Sequence, residues 1–188
     1  NNLTNFLKQK IGKRLLILNY KRNERKNILE KWYSNKKVEI YFSAPPCVGI
    51  RYPLPTNTIE ENKSIKKYPF INRKELRVCL KDIKHTKCYN FIIPKGYCYD
   101  GASIPRAFWR IIGSNTDNTF LIAALVHDVL CENHKFIDCD KNFSTEVFNA
   151  LLEASSVCAM KRYLMKHSVN FYQNFCKWNL KEFSHGNI

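Results

Sequence analysis

The residues best suited to chemistry lie in two neighbouring segments. Asp100 and Ser103 belong to the stretch Gly-Tyr-Cys-Tyr-Asp-Gly-Ala-Ser-Ile-Pro that begins at Gly96, and His127 and Asp128 follow inside an apolar segment. Carboxylate, hydroxyl and imidazole groups in apolar surroundings need hydrogen-bond partners, because an unpaired polar group in a core costs free energy. These residues therefore form either a functional site or a structural brace, and both interpretations stay open.

Under the first interpretation the four residues predict hydrolytic chemistry. A histidine acts as a base or binds a divalent metal, and a neighbouring carboxylate orients the ring or completes the metal ligands. We therefore take Asp100, Ser103, His127 and Asp128 as candidate catalytic residues. Asp100, His127 and Asp128 are also the candidate ligands of a divalent metal.

Alternatives to this site follow from the same residues. A complete metal site needs further ligands, which His134 with Asp138 or Asp140 would supply. Ser103 is a poor candidate nucleophile, because it lacks a Gly-x-Ser-x-Gly elbow and reads as a helix N-cap whose oxygen is already engaged. Under the brace interpretation, Asp100 accepts hydrogen bonds from the amides of the first helical turn and no substrate is needed.

Strands are predicted ahead of the candidate site. Alternating apolar residues predict strands over residues 37–42 and 76–80, and a hairpin turn over residues 84–87 leads to a returning strand over residues 88–93. The intervening residues 43–75 are rich in proline, which predicts an extended segment with short strand pieces. We therefore expect a small antiparallel β-sheet.

Helices are predicted from residue 103 onward. Apolar residues at helical spacing place four of them, over residues 103–112, about 117–131, from about 142, and about 158–183. The predicted fold class is α+β, with the small antiparallel β-sheet followed by a bundle of about four helices.

Positive charge is concentrated at the start of the chain. The 188 residues include 31 Lys and Arg against 16 Asp and Glu, and the net charge of +15 favours an anionic partner. Apolar residues at helical spacing over residues 3–33 predict a basic helical arm, residues 1–36, ahead of a single domain, residues 37–188. The alternative is an amphipathic helix whose charges are only solvated. The candidate contacts to nucleic acid are Lys21, Arg22, Arg25 and Lys26.

Cysteine spacing and apolar content bear on the compartment. The chain is long and apolar enough to fold without disulfides, so we expect its eight cysteines to be reduced thiols in a reducing compartment. None of them has Cys-x-x-Cys spacing, so we expect no structural zinc. The longest apolar runs, residues 15–18 and 120–126, are too short to span a bilayer. Residues 1–20 lack the apolar stretch of a signal peptide. We therefore expect no transmembrane segment.

The turn and the following helix resemble a bacteriophage-associated family of unknown function, DUF1353. The resemblance covers about residues 76–176 and is carried by Gly96–Pro105 and by Ala-Ala-Leu-Val-His-Asp at residues 123–128. Ser156 replaces a glycine commonly expected before Val157. An acidic position expected on the third helix is matched by either Asp140 or Glu146. The resemblance implies a viral or mobile-element setting, in the virion or the host cytoplasm, and supplies no established reaction.

Two functions are compatible with these observations. The first is a phage- or virus-type accessory protein with a hydrolase-like, metal-binding site. The alternative is a non-catalytic structural component of a virion or nucleoprotein assembly, whose basic arm contacts nucleic acid or an acidic protein surface.

Overall fold

A computed structural model describes residues 29–101 and 118–174. These residues form two antiparallel sheets and four helices, so the α+β class predicted from the sequence is confirmed. The basic arm up to residue 28, with its four candidate nucleic-acid contacts, lies outside the described residues. So do Ser103 and the helix predicted over residues 103–112.

The described elements of the first half are seven strands and one helix, and those of the second half are helices. The strands are β1 (Glu30–Ser34), β2 (Val38–Phe42), β3 (Val48–Ile50), β4 (Phe70–Asn72), β5 (Leu76–Asp82), β6 (Lys87–Ile93) and β7 (Cys98–Tyr99). The helices are α1 (Ile59–Lys67), α2 (Asn118–Ile137), α3 (Lys141–Ala154) and α4 (Ala159–Tyr172).

The larger sheet has the strand order β1-β2-β5-β6, with every neighbouring pair antiparallel. Alternate residues of β2 and β5 are buried, as the period-two pattern predicted, and Ile40 lies opposite Leu80 in the register. The buried face packs against α2 and α3 in one core. The predicted strands at residues 37–42, 76–80 and 88–93 are thus confirmed.

The smaller sheet has the order β3-β4-β7 and leads directly to the candidate turn. Phe70 of β4 lies opposite Tyr99 of β7, so Asp100 follows at the end of a paired strand. Gly101 has φ +86°, and a Cβ placed there would lie 2.6 Å from Cε2 of Phe70. The turn therefore needs glycine at this position for both its backbone conformation and its contact with the ring.

The helix predicted through Tyr33 is wrong for residues 30–34. They form β1, an edge strand paired with β2, and the Trp32 ring lies 5.5 Å from the Phe42 ring. Aromatic residues favour strands where they can pack across a sheet, and this packing overrides the helical spacing. The edge strand thus lies on the arm side of the predicted boundary at residue 36.

The extended segment predicted over residues 43–75 contains β3 and β4, but it also contains α1. Thr58 caps this helix, because its side-chain oxygen accepts from the Glu61 amide at 3.1 Å and the Glu61 carboxylate accepts from the Thr58 amide at 2.7 Å. A Thr-x-x-Glu capping box is a local signal for a helix start. The prolines on either side obscured it.

The helices that follow position the candidate site. α2 extends beyond the predicted end at residue 131, with a break at Asn133 (φ −114°, ψ 17°), and α3 presents a largely buried face between α2 and α4. In the described part of the chain, no helix is long and apolar enough to cross a membrane. The seven cysteines in that part are free thiols, as expected for reduced cysteines.

Candidate functional site

His127 lies on α2 in a nearly sealed position, with 9% of its surface exposed. Its Nε2 atom is 2.7 Å from the side-chain amide nitrogen of Gln173, which follows α4. An amide nitrogen only donates, so Nε2 accepts this hydrogen bond and the neutral ring carries its proton on Nδ1. The main partner of His127 is therefore a distant glutamine rather than Asp100.

Gln173 is the centre of a buried polar group that we call the Gln173 cluster: His127, Cys131, Ser144, Thr145 and Gln173. The amide nitrogen of Gln173 also lies 3.1 Å from Oγ of Ser144 and 3.4 Å from Sγ of Cys131. Its carbonyl oxygen accepts from the Thr145 hydroxyl at 3.1 Å. Because Gln173 is only 1% exposed, these bonds form away from water and join α2, α3 and the end of α4.

The remaining neighbours of His127 further enclose the ring. Sγ of Cys131 is 3.5 Å from Nε2, and the ring centroid of Phe148 is 5.2 Å from that of His127. Oδ1 of Asp128 is 3.8 Å from Nδ1. This distance exceeds the length of a direct hydrogen bond, so Asp128 does not fix the orientation of the neutral ring by such a bond.

A second buried polar group, the Tyr97 cluster, consists of Tyr97, Asp100, Asp128 and Glu132. The Tyr97 hydroxyl donates to the Glu132 carboxylate at 2.6 Å. Burial raises the pKa of Tyr97 well above its usual value, and the negative charges of Asp128 and Asp100 raise that pKa further. Asp128 and Asp100 thus lie within electrostatic reach of the Tyr97 phenol, and Oδ1 of Asp128 is also 3.8 Å from Nδ1 of His127.

The further metal ligands predicted from the sequence, His134, Asp138 and Asp140, are engaged in other contacts or exposed. His134 Nδ1 is 2.8 Å from the Cys131 carbonyl oxygen, and the Asp138 side chain is exposed. Asp140 caps α3 by accepting from the Phe143 amide at 2.8 Å. Among residues 29–101 and 118–174, no three His, Cys, Asp or Glu side chains are arranged to hold a metal ion. The catalytic and metal-binding roles of Asp100, His127 and Asp128 stay predictions.

Sequence reasoning missed most of the partners in both clusters. Glu132 could have been found, because it lies four residues after Asp128 and thus on the same side of a helix. Tyr97 lies in the stretch Gly96–Pro105, which also contains Asp100. Gln173 carries no local signal, since only the folding of α4 against α2 brings it to His127.

Comparison with known proteins finds a family match for part of the chain. Residues 77–169 match the family described as "Protein of unknown function (DUF1353)". The DUF1353 resemblance is confirmed over this segment. The segment runs from β5 into α4 and contains both Asp100 and His127, whereas Gln173 lies beyond its end.

One relative matches a shorter part of the chain. The uncharacterized protein y4jT of Sinorhizobium fredii is 48% identical over 40 residues, which cover 21% of this chain and 12% of that protein. The chain thus matches about an eighth of the length of this relative. No solved structure matches the chain.

Proposed function

We propose that this chain is a non-catalytic component of a phage- or virus-type assembly, in which the Gln173 cluster braces three helices and the basic arm, residues 1–36, contacts an anionic partner. The observation that carries the proposal is the 2.7 Å contact between His127 and Gln173 at a nearly sealed position. A base or a metal ligand must direct a nitrogen lone pair at its reactant or metal. Here the Nε2 lone pair is directed at an amide of the chain itself.

The partner in this proposal is nucleic acid or an acidic protein surface. The net charge of +15 supports an anionic partner, since clustered Lys and Arg attract phosphates and carboxylates over several ångströms. The DUF1353 resemblance supports the viral or mobile-element setting, and the free thiols support a reducing compartment. The virion and the host cytoplasm are the proposed locations.

The test of the anionic partner uses the full chain and duplex DNA at several salt concentrations. Replacing Lys21, Arg22, Arg25 and Lys26 by Gln should lower the affinity and flatten the dependence of log K on log salt. Each lost phosphate contact lowers that slope by about 0.9. The matched control replaces four exposed lysines elsewhere, Lys63, Lys66, Lys74 and Lys84, and so removes the same charge. Equal losses in both variants, or a flat salt response of the unmodified chain, would overturn the proposal.

A hydrolase-like function is the second candidate, and the Tyr97 cluster favours it. A buried phenol that donates to Glu132 at 2.6 Å and feels the charges of Asp128 and Asp100 resembles the clustered ionisable groups of acid–base sites. Such a site could exchange protons with a substrate that reached it.

The test of this candidate is hydrolysis of nitrophenyl esters and phosphodiesters, together with metal analysis of the purified protein. The brace proposal expects no activity that depends on the cluster and no metal lost in His127→Ala. Hydrolysis that falls at least tenfold in both Asp128→Asn and Glu132→Gln, but not in the exposed control Glu75→Gln, would establish the hydrolase-like function instead.

A further inference from the structure

A second pair of histidine and aspartate lies at the turn between β5 and β6, outside both buried clusters. Nδ1 of His85 is 2.6 Å from Oδ2 of Asp82, and the His85 amide donates to Oδ1 of the same carboxylate at 3.2 Å. The Asp82 side chain is only 5% exposed, whereas 52% of the His85 side chain is exposed. A buried carboxylate thus holds a ring that reaches into solvent.

The larger sheet fixes the carboxylate of this pair. Asp82 is the last residue of β5 and lies opposite Val38 of β2 and Lys87 of β6. Burial alone would raise the pKa of Asp82, but hydrogen bonds from the His85 side chain and amide, and from the Lys84 amide, outweigh burial and lower that pKa. Asp82 is therefore a rigid, ionised acceptor for the ring.

The hydrogen bond to Asp82 determines which ring nitrogen of His85 can react. A carboxylate only accepts, so Nδ1 carries the proton, and in the neutral ring Nε2 keeps its lone pair. A carboxylate on one ring nitrogen also raises the basicity of the other. Within the described ranges, Nε2 of His85 has no hydrogen-bond partner, whereas Nε2 of His127 accepts from Gln173 in the core. His85 thus has an activated nitrogen on an exposed side chain.

The openness of the turn favours a group acceptor over a catalyst. Ile83 is 44% exposed, and Lys84 and Thr86 are exposed on either side of His85. Active sites enclose their substrates and exclude water, and a turn this open does neither. The same openness lets the ring enter the active site of another enzyme or react with a small donor. We therefore expect His85 to receive a group rather than to process a substrate.

The charge of the turn indicates which group it would receive. Lys87 lies 3.8 Å from the Asp138 carboxylate, but Lys84 has no acidic partner in the part of the chain that the structure describes. The ammonium of Lys84, next to His85 along the turn, is thus available to an incoming anionic group. A phosphoryl group brings negative charge and three oxygens that accept hydrogen bonds from such an ammonium.

We propose that Nε2 of His85 accepts a phosphoryl group from a phosphoramidate donor, a class that includes phosphohistidine of another protein. The Nε2 lone pair forms the new bond to phosphorus, the phosphorus–nitrogen bond of the donor breaks, and the protonated donor nitrogen leaves with the bonding electrons. The Nδ1 proton stays in the hydrogen bond with Asp82, whose charge offsets the positive charge that develops on the ring. This inference goes beyond the assembly role and does not depend on it.

The experiment treats the full chain with potassium phosphoramidate and follows each histidine by peptide mass spectrometry and phosphorus NMR. His167 on α4 is the internal control, because it is also exposed but binds no carboxylate in the described part of the chain. Asp82→Asn removes the charge that holds the His85 ring. The matched control Asp138→Asn removes an equal charge near the same turn without a contact to that ring. Circular dichroism checks that both variants are folded.

We expect His85 to be phosphorylated at least about tenfold faster than His167, and on Nε2. The rate at His85 should fall at least about tenfold in Asp82→Asn and stay unchanged in Asp138→Asn. Equal rates at the two histidines would overturn the proposal, and this comparison needs no variant. Phosphorylation on Nδ1, or a rate at His85 that Asp82→Asn leaves unchanged, would overturn it as well.

Discussion

Two polar clusters of this protein have contacts of similar length, but one is buried and the other is open to solvent. In the Gln173 cluster the contacts that Gln173 makes span 2.7–3.4 Å among residues that are almost fully buried. On the outer face of the larger sheet, Glu39 binds Tyr41, Lys31 and Lys81 at 2.7, 3.1 and 3.2 Å. The side chains of Lys31 and Lys81 are 50% and 44% exposed. We call this group the Glu39 cluster.

Burial, rather than contact length, sets what such a cluster contributes to the stability of the fold. When a contact of the Glu39 cluster is lost, water replaces it and salt screens the remaining charges. When a contact of the Gln173 cluster is lost, water does not reach the site to replace it, and a buried group that is left unsatisfied costs free energy. Only the buried cluster can therefore hold helices in place.

The largest expected effect comes from Gln173→Leu, which keeps the side-chain volume and removes the amide. His127, Ser144 and Thr145 each lose a partner, so we expect the free energy of unfolding to fall by about 3 kcal/mol. Urea unfolding measures the change. The control is Asn174→Leu at the next, exposed position. If the two variants lose similar stability, the brace interpretation and the comparison both fail.

A smaller effect is expected within the Tyr97 cluster. Tyr97→Phe removes the donor to the Glu132 carboxylate, and we expect a loss of about 2 kcal/mol because hydrogen bonds to charged groups are the stronger ones. Tyr99→Phe is the matched control, since Tyr99 is also buried but donates to the neutral carbonyl of Leu121 at 3.0 Å. Its expected loss is about 1 kcal/mol. Thermal unfolding at neutral pH compares them, and equal losses would show that charge adds nothing there.

The turn between α3 and α4 tests whether backbone strain lowers the stability of the fold. Ser156 has φ +60°, its amide binds the Glu153 carbonyl at 2.9 Å, and the Val157 amide binds the Leu152 carbonyl at 3.0 Å. This is a Schellman motif, in which glycine is the preferred residue at the left-handed position. Ser156→Gly should therefore stabilise the fold by about 0.5 kcal/mol, as measured by the urea midpoint. Loss of stability would mean that the serine side chain has a role of its own.

Ser156 also shows what a sequence can and cannot predict. The missing glycine was visible as a departure from DUF1353, but its meaning needed the φ value of Ser156. Strands β2, β5 and β6 were predictable because one face of each is buried and alternation follows directly. β1 was not predictable, because the spacing of Trp32 and Tyr33 fits a helix equally well. Only the pairing with β2 shows that these residues form a strand.

The candidate site was predictable in its residues and not in its contacts. Asp100 and His127 were found because polar groups in apolar segments are unusual. Their partners were missed, since hydrogen bonds between α2 and the end of α4 depend on tertiary structure. The two candidates for the acidic position on the third helix can also be told apart only in the structure. Asp140 caps α3, whereas Glu146 lies 2.7 Å from Lys166 and 3.1 Å from Lys37.

Glu146 is about as exposed as Glu39, but its partner Lys166 is less exposed than Lys81, at 28% against 44%, and we expect an effect between those of the two clusters. Burial alone would raise its pKa, but hydrogen bonds from Lys166 and Lys37 outweigh burial and lower the pKa below 4.5. A lowered pKa stabilises the fold above about pH 4.5, and this contribution is lost as the pH falls through the folded-state value. Glu146→Gln should cost about 0.5 kcal/mol at pH 7 and less at pH 3, in urea unfolding at both pH values. A difference that does not shrink on acidification would contradict the ion-pair explanation.

The smallest effect on stability is expected at Glu39, although its pKa shift is large. Hydrogen bonds from Tyr41, Lys31 and Lys81 lower the pKa of Glu39 to about 2. NMR titration of its carboxyl carbon should show that midpoint at low salt, and a rise toward 4.5 in Lys81→Gln or at high salt. Glu39→Gln should leave the urea midpoint unchanged within error, because the cluster is open to water. If Glu39→Gln instead destabilised the fold as much as Gln173→Leu, burial would not be what separates the two clusters.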